Sequence, residues 1–302
     1  MKTHRLKQAL SDEEAAQLAG TFLDDSHYDL IVDGDEECVD EKGEIILSYR
    51  KDAISPALCN QAYEALRHEK GIFTSSNRVF AGGSMKTAEG EVKIRVKMPK
   101  RDGTLSNTNV AARPTQSGII GYFDRTPRYP YCRQTVFTAN RVKQWRSFLP
   151  YAQRVSKVFS EAHPKRFSAQ KDWCDRTTPE FIIPGSVFTT VTVNRNWQTA
   201  VHTDRGDLPE GFGVLTTFRA GRFKGGLFVL PKYRVAVNIQ TGGVLLVNVH
   251  EWHGNTKLRG LPGSFERMSC VFYYRKKMVE CGTPKIEGER ARLKRGGLKA
   301  HV

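Results

Sequence analysis

From Phe181 onward the chain alternates its side-chain character with a period of two, and this rhythm limits the fold more than any other feature. Val187-Phe188-Thr189-Thr190-Val191-Thr192-Val193 predicts a strand. An extended backbone turns successive side chains to opposite faces, and β-branched residues suit a pleated surface. Val214 to Phe218, Leu227 to Leu230 and Tyr233 to Ile239 read the same way. Thr241-Gly242-Gly243 turns the chain into a strand from Val244 to His250, and Met268 to Tyr274 is the last clear one. Short strands parted by Gly-containing turns predict an antiparallel sandwich or barrel.

Upstream the signals are mostly helical. Ser11-Asp12-Glu13-Glu14 is a capping-box sequence that starts a helix through Phe22. Residues 24–42 are acidic and predict a surface strand and turn, followed by a strand from Glu44 to Tyr49. Ser55-Pro56 opens a second helix with Leu58, Ala62 and Leu66 on one face and Gly71 at its end. The paired glycines of Ser117-Gly118-Ile119-Ile120-Gly121-Tyr122-Phe123-Asp124 suggest close backbone packing or approach to a ligand. Residues 139–162 predict a helix interrupted at Pro150, whose face of Phe148, Ala152, Val155, Phe159 and Ala162 should lie on a sheet. With no repeat and no long linker, one domain over 1–284 is expected. It divides into a helical and basic-arm part (about 1–180) and a strand-rich core (about 181–284), before a basic tail at 285–302.

Charge narrows the partner. Lys plus Arg number 47 against 32 Asp plus Glu, a net +15 over 302 residues. Such an excess suggests a polyanion, nucleic acid being the commonest, with simple solubility as the bland alternative. Lys86, Lys93, Arg95, Lys97, Lys100, Arg101 and Arg113 face only Glu89, Glu91 and Asp102 within residues 86–113, as a solvated hairpin or an arm along a phosphate backbone would. Lys285, Arg290, Arg292, Lys294, Arg295 and Lys299 outnumber Glu287 and Glu289 in the tail, which is expected to be mobile. Cys38, Cys59, Cys132, Cys174, Cys270 and Cys281 include no C-x-x-C spacing, so reduced packing residues are expected rather than a zinc site. The charged start, Met1-Lys2-Thr3-His4-Arg5, is unlike a secretory leader, and no apolar run reaches the roughly 18 residues that span a bilayer. A cytoplasmic monomer with no membrane partner is expected.

His202-x-Asp204 places an imidazole and a carboxylate on one face of a strand end. A distant third ligand would complete a 2-His-1-carboxylate facial triad, which leaves positions on iron open. His250 and His253 compete for that place; on an extended strand they face opposite sides, and His253, just before Gly254, is chosen. His250-Glu251-Trp252-His253 is one residue too short for a zinc-protease helix. Arg267, Ser269, Val271, Tyr273 and Arg275 share a strand face. Burying an arginine and a hydroxyl together is expensive unless something pairs with them. A bidentate carboxylate, such as the distal end of 2-oxoglutarate, is the natural partner. A surface arginine at a strand start is the alternative.

His-x-Asp, then His253-Gly254-Asn255-Thr256, then Arg267-Met268-Ser269-Cys270-Val271-Phe272-Tyr273 resembles the catalytic core of the ten-eleven translocation and J-binding-protein (TET/JBP) dioxygenases over roughly Val187 to Arg275. Asn194-Arg195-Asn196-Trp197-Gln198-Thr199-Ala200-Val201 is similar to the J-binding-protein segment before its iron, and the Ser117–Asp124 stretch to compact bacteriophage members. The resemblance implies an α+β fold, a double-stranded β-helix (jelly-roll or cupin-like) core with flanking helices. It implies Fe(II) on His202, Asp204 and His253, with 2-oxoglutarate on Arg267 and Ser269 and O2 as oxidant. It further implies hydroxylation of a 5-methylpyrimidine flipped out of double-stranded DNA, with Asp207 and Arg275 against the base. Arg275 stands where cytosine-acting members tend to have His, so the base stays open. The favoured base is 5-methylcytosine, giving 5-hydroxymethylcytosine; thymine, giving 5-hydroxymethyluracil, is the alternative. Two other readings are a 2-oxoglutarate oxygenase acting on protein or a small molecule, and a non-enzymatic DNA-binding sandwich.

Overall fold

The computed structural model describes residues 1–69, 73–75, 78–86, 92–100, 102 and 104–296. Two sheets and a helical layer stack on one another, giving an α+β double-stranded β-helix core with flanking helices. The large sheet runs, in spatial order, Lys2–Arg5, Glu36–Val39, Ile45–Arg50, Val244–Val247, Gly213–Gly221, Phe265–Tyr273, Thr190–Arg195, Ser117–Phe123 and Arg133–Gln134. The small sheet runs Gly254–Asn255, Phe228–Leu230, Val235–Val237 and Leu30–Val32. Phe265–Tyr273 lies inside the large sheet, antiparallel to Gly213–Gly221 on one side and Thr190–Arg195 on the other.

Period two explains how that strand serves two layers. Met268, Cys270 and Phe272 point to the helical side, where Phe272 stacks on Phe148 at 6.0 Å and 5° and meets Phe188 at 5.4 Å. Removing a ring so enclosed typically costs about 3–5 kcal/mol. Arg267, Ser269, Val271 and Tyr273 point the other way and line a cavity between the sheets. Beyond that cavity Leu47, Tyr49, Leu215, Leu245 and Val247 of the large sheet close a second core against Phe228, Leu230, Val235 and Val237.

The capping box forms, with Ser11 Oγ accepting from Glu14 N at 3.1 Å, but its helix stops at Gln17 rather than Phe22. Pro56–Arg67 is helical, and its expected end at Gly71 lies outside the described residues. Pro150 does not interrupt its helix, which runs unbroken over Val142–Ala162. Both Pro150 and Arg146, whose carbonyl loses its partner, lie on the exposed face, where water can serve it. The division at about residue 180 does not follow the layers either, because strands within residues 2–50 and 117–123 complete both sheets.

Two expectations about the C-terminal end are corrected. Cys132 and Cys281 form a disulfide, while Cys38, Cys59, Cys174 and Cys270 are buried thiols. Spacing arguments cannot see a pair 149 residues apart that only the fold brings together. The start of the basic tail is a docked helix, Pro284–Arg295, held by the buried Glu287. Glu287 accepts from Cys132 N at 2.8 Å, Gly282 N at 2.7 Å, Arg125 Nη2 at 2.5 Å and Arg290 Nη1 at 2.7 Å. Lys299 lies outside the described residues, as do Glu89, Glu91 and Arg101 of the basic arm. Of that arm, Lys93, Arg95, Lys97, Lys100 and Arg113 are exposed, around the antiparallel pair Val96–Pro99 and Leu105–Ala111. Among the described residues no helix is long and apolar enough to cross a membrane.

Candidate active site

His202 and His253 face each other across a two-residue antiparallel bridge, each backbone N–H donating to the other's carbonyl at 3.0 Å. Asp204 N donates to Val249 O at 3.0 Å, which brings the carboxylate between the rings. Its Oδ1 lies 3.5 Å from His202 Nε2 and its Oδ2 3.7 Å from His253 Nε2. One ligand atom from each of the three lies within 4.8 Å of the others, close enough to share one metal ion. Their tautomers are prepared for that. His202 Nδ1 lies 2.9 Å from Ala200 O and His253 Nδ1 lies 2.9 Å from Glu251 O. A carbonyl can only accept, so Nδ1 carries the proton and Nε2 keeps its lone pair.

Burial and charge act differently on the three groups. Burial opposes ionisation of Asp204, but the hydrogen bond and charge of His202, with His253 and Arg78, hold its carboxyl well below the usual range. Burial, with the charge of His202, pushes His253 down to about 4. Burial also resists a proton on His202, yet Asp204 outweighs it and raises that imidazole. His250 is not in the cluster. The strand ends at Val247, and a turn with Glu251 N on Asn248 O reverses the chain, so a turn rather than strand alternation delivers His253.

Arg267 enters the same cavity of about 290 Å³. It is 3 % exposed, and its Nε has no hydrogen-bond partner. No carboxylate pairs with it among the described residues, and burial, with the charge of Arg219, pushes its guanidinium down to about 10. A buried cation without a counterion is costly. The fold nevertheless makes room for it: a Cβ at Gly226, where φ is +69°, would lie 2.9 Å from Arg267 Cδ and Nε. Ser269, one alternation on, accepts from Asn194 Nδ2 at 3.5 Å. The arrangement fits an anionic ligand with a carboxylate at this end.

Asp207 and Arg275 pair as an isolated antiparallel bridge at the other end of the cavity. Asp207 is buried with Oδ2 unpartnered, and burial, reinforced by the charge of Asp204, pushes its carboxyl well up. Arg275 is already matched: Nε and Nη2 donate to the buried Asp124 at 2.7 and 3.3 Å, and its Cζ lies 4.1 Å from the Phe123 ring centre. All seven residues singled out in the sequence, His202, Asp204, Asp207, His253, Arg267, Ser269 and Arg275, therefore line one cavity.

Sequence reasoning missed three contributors. Arg78 lines the cavity with Nε buried and unpartnered and Nη2 on Gly118 O at 3.3 Å. Its neighbour Val79, also in the wall, has φ +47°, a conformation a β-branched residue adopts only when held there. Asn196, at φ +45°, clasps Arg267: Asn196 N donates to Arg267 O at 2.8 Å, and Asn196 Oδ1 accepts from Arg267 N at 2.6 Å. The available signal was Asn196 itself, since Asn tolerates the left-handed region and sits directly after a strand. Arg78 carried no comparable mark.

Residues 118–276, just over half of the chain, match the Tet/JBP family, described as the oxygenase domain of the 2OGFeDO superfamily. The chain is 41 % identical over 184 residues to thymine dioxygenase JBP1 of Trypanosoma brucei brucei, covering 59 % of this chain and 21 % of that protein. It is 37 % identical over 223 residues to thymine dioxygenase JBP1-B of Trypanosoma cruzi (strain CL Brener), covering 70 % and 26 %. The chain thus spans about a quarter of the length of the curated relatives it matches. Among solved structures, NgTET1 in complex with 5mC DNA superposes with a TM-score of 0.55 at 12 % identity, covering 94 % of this chain and 99 % of that one. That likeness establishes the shared fold.

Proposed function

Because the chain belongs to the Tet/JBP family of oxygenases, whose domain uses Fe(II), 2-oxoglutarate and O2, we propose that it hydroxylates the 5-methyl group of thymine in double-stranded DNA. The observation that carries the reading is the pairing, in one cavity, of a His-Asp-His cluster with a buried arginine that lacks a counterion. The iron centre, when bound, supplies the oxidising power that replaces a methyl C–H by C–OH. The residues of this chain do the positioning. His202 and His253 present Nε2, and Asp204 presents its carboxylate, as ligands to iron. Arg267 binds the distal carboxylate of 2-oxoglutarate by its planar fork, with the Ser269 hydroxyl beside it. Asp207 and Arg275 wall the end that receives the flipped base.

Thymine is favoured by the relatives named as thymine dioxygenases, which are far more similar to this chain than the 5-methylcytosine-bound structure is. Arg275 supports it, since its remaining N–H groups can donate to a carbonyl such as O4. The second reading, 5-methylcytosine, rests on Asp207: its unpartnered Oδ2 could accept the exocyclic amino group.

Nucleoside mass spectrometry decides the matter, after incubation with Fe(II), 2-oxoglutarate and duplex DNA holding both bases. Gain of one oxygen atom on thymidine is expected. Gain on methylcytidine would move the specificity to Asp207. Succinate without any oxidised nucleoside would point to a substrate other than DNA. Asp204→Ala should yield neither succinate nor oxidised base, and retained turnover would remove Asp204 from the ligand set.

A further inference from the structure

Beside the cavity, cations and aromatic rings alternate from its wall to the surface. Arg275 Cζ lies 4.1 Å from the Phe123 ring centre, and Arg133 Cζ lies 5.2 Å from that same ring. Arg133 Cζ also lies 4.4 Å from the Tyr129 ring, which Arg128 approaches at 5.3 Å. Tyr131 meets Tyr129 edge-on, with ring centres 6.1 Å apart. Arg275 lines the cavity, Arg128 is exposed, and Tyr129 and Tyr131 are half-buried. Neither Arg128 nor Arg133 forms an ion pair among the described residues. Arg128 and Arg133 therefore add charge that no carboxylate among the described residues pairs with.

The loop carrying it is firmly tied. Thr126 and Tyr129 bond reciprocally, Thr126 N to Tyr129 O at 2.8 Å and Tyr129 N to Thr126 Oγ1 at 3.1 Å. Arg133 Nη1 donates to Asp124 O at 3.2 Å. Cys132 is bonded to Cys281, and its N–H donates to Glu287. A surface loop of two tyrosines and two unpaired arginines, fixed at this many points next to a substrate cavity, is built for contact. Aromatic faces accept stacked bases whatever their sequence, guanidinium groups meet phosphate, and a preformed surface loses little entropy on binding.

We propose that the loop between Phe123 and Arg133 is a stacking platform for the DNA strand next to the target base, with Tyr129 holding a base unstacked by the flip and Arg128 a phosphate beside it. The proposal rests on the DNA reading above and adds which surface holds the strand.

The test uses the full chain and a duplex with 2-aminopurine next to the target thymine, titrated by fluorescence at several salt concentrations. Tyr129→Ala should weaken binding between about fivefold and a hundredfold with the salt slope unchanged. Tyr129→Phe should restore it. The 2-aminopurine should be dimmer with the parent, stacked on the ring, than with Tyr129→Ala. Arg128→Ala, at an exposed position that cannot unfold the chain, should lower the salt slope by about 0.9. Tyr129→Ala and Arg128→Ala both binding within twofold of the parent, with the parent's slope, overturns the platform. A parent that does not bind the duplex overturns it too. A parent that binds but oxidises no base overturns the assigned reaction and leaves the platform standing.

Discussion

Arg267 and Arg275 lie eight residues apart on one face of the same strand and its extension, and both look into the same cavity. Arg275 is matched inside the protein by Asp124, so its own charge is largely compensated before anything binds. Arg267 is the more buried of the two and has no counterion among the described residues. A fold tolerates an uncompensated buried cation when a ligand completes it, whereas a compensated one belongs to the scaffold. The contrast separates an end open to an anion from a wall whose cation is already matched.

The sharpest way to break that contrast is Arg267→Leu. KM for 2-oxoglutarate should rise by roughly two to four orders of magnitude, as on losing one partner of a buried charge pair. The ligand-free variant should also melt higher than the parent, because a lone buried charge has gone. A lower melting temperature would mean that Arg267 has an internal partner after all. Arg275→Ala should behave oppositely: urea unfolding should show a loss of about 3 kcal/mol, since Asp124 is left buried and unpaired. Asp124→Leu combined with Arg275→Leu should recover most of it, and simple additivity of the single losses would refute the pairing. Gly226→Ala should raise KM for 2-oxoglutarate by about tenfold, about 1.4 kcal/mol, by pushing the Arg267 side chain aside. An unchanged KM would show that the arginine has room to spare. An effect of similar size is expected at Asn196, where Ala removes the acceptor for Arg267 N and strains the left-handed backbone, for about 1–2 kcal/mol of stability. Asn196→Gly relieves the strain alone, so stability recovered without recovery of KM would assign the hydrogen bond to positioning.

Strand identity and strand face were legible because they follow from local alternation. Alternation alone puts Arg267, Ser269 and Tyr273 on one side of the sheet and Met268, Cys270 and Phe272 on the other. His202 and Asp204 were legible as a pair for the same reason. His253 joins His202 and Asp204 and His250 does not, but a turn and not strand alternation places it there. What sequence could not show depends on segments far apart in the chain. Arg78 reaches the cavity from a segment whose local sequence shows only general basicity, and Asp124 lies 151 residues before the arginine it neutralises. The Cys132–Cys281 bond and the docking of Glu287 belong to the same class. Pro150 shows the converse: a strong local breaker was overruled because packing on the sheet holds the helix and its one lost bond faces water.

The place of Phe265–Tyr273 within the large sheet also bears on how the protein reaches its native state. Its neighbours, Thr190–Arg195 and Gly213–Gly221, come earlier in the chain and do not pair with each other. During synthesis they must wait, each with an open edge, until the strand between them emerges. Arg267 rides on that late strand, so the cavity and the continuous sheet should be completed in one step. Such long-range pairing predicts slow folding and an aggregation-prone interval just before it. A chain shortened before Phe265 should therefore collect as insoluble material rather than as a smaller folded domain.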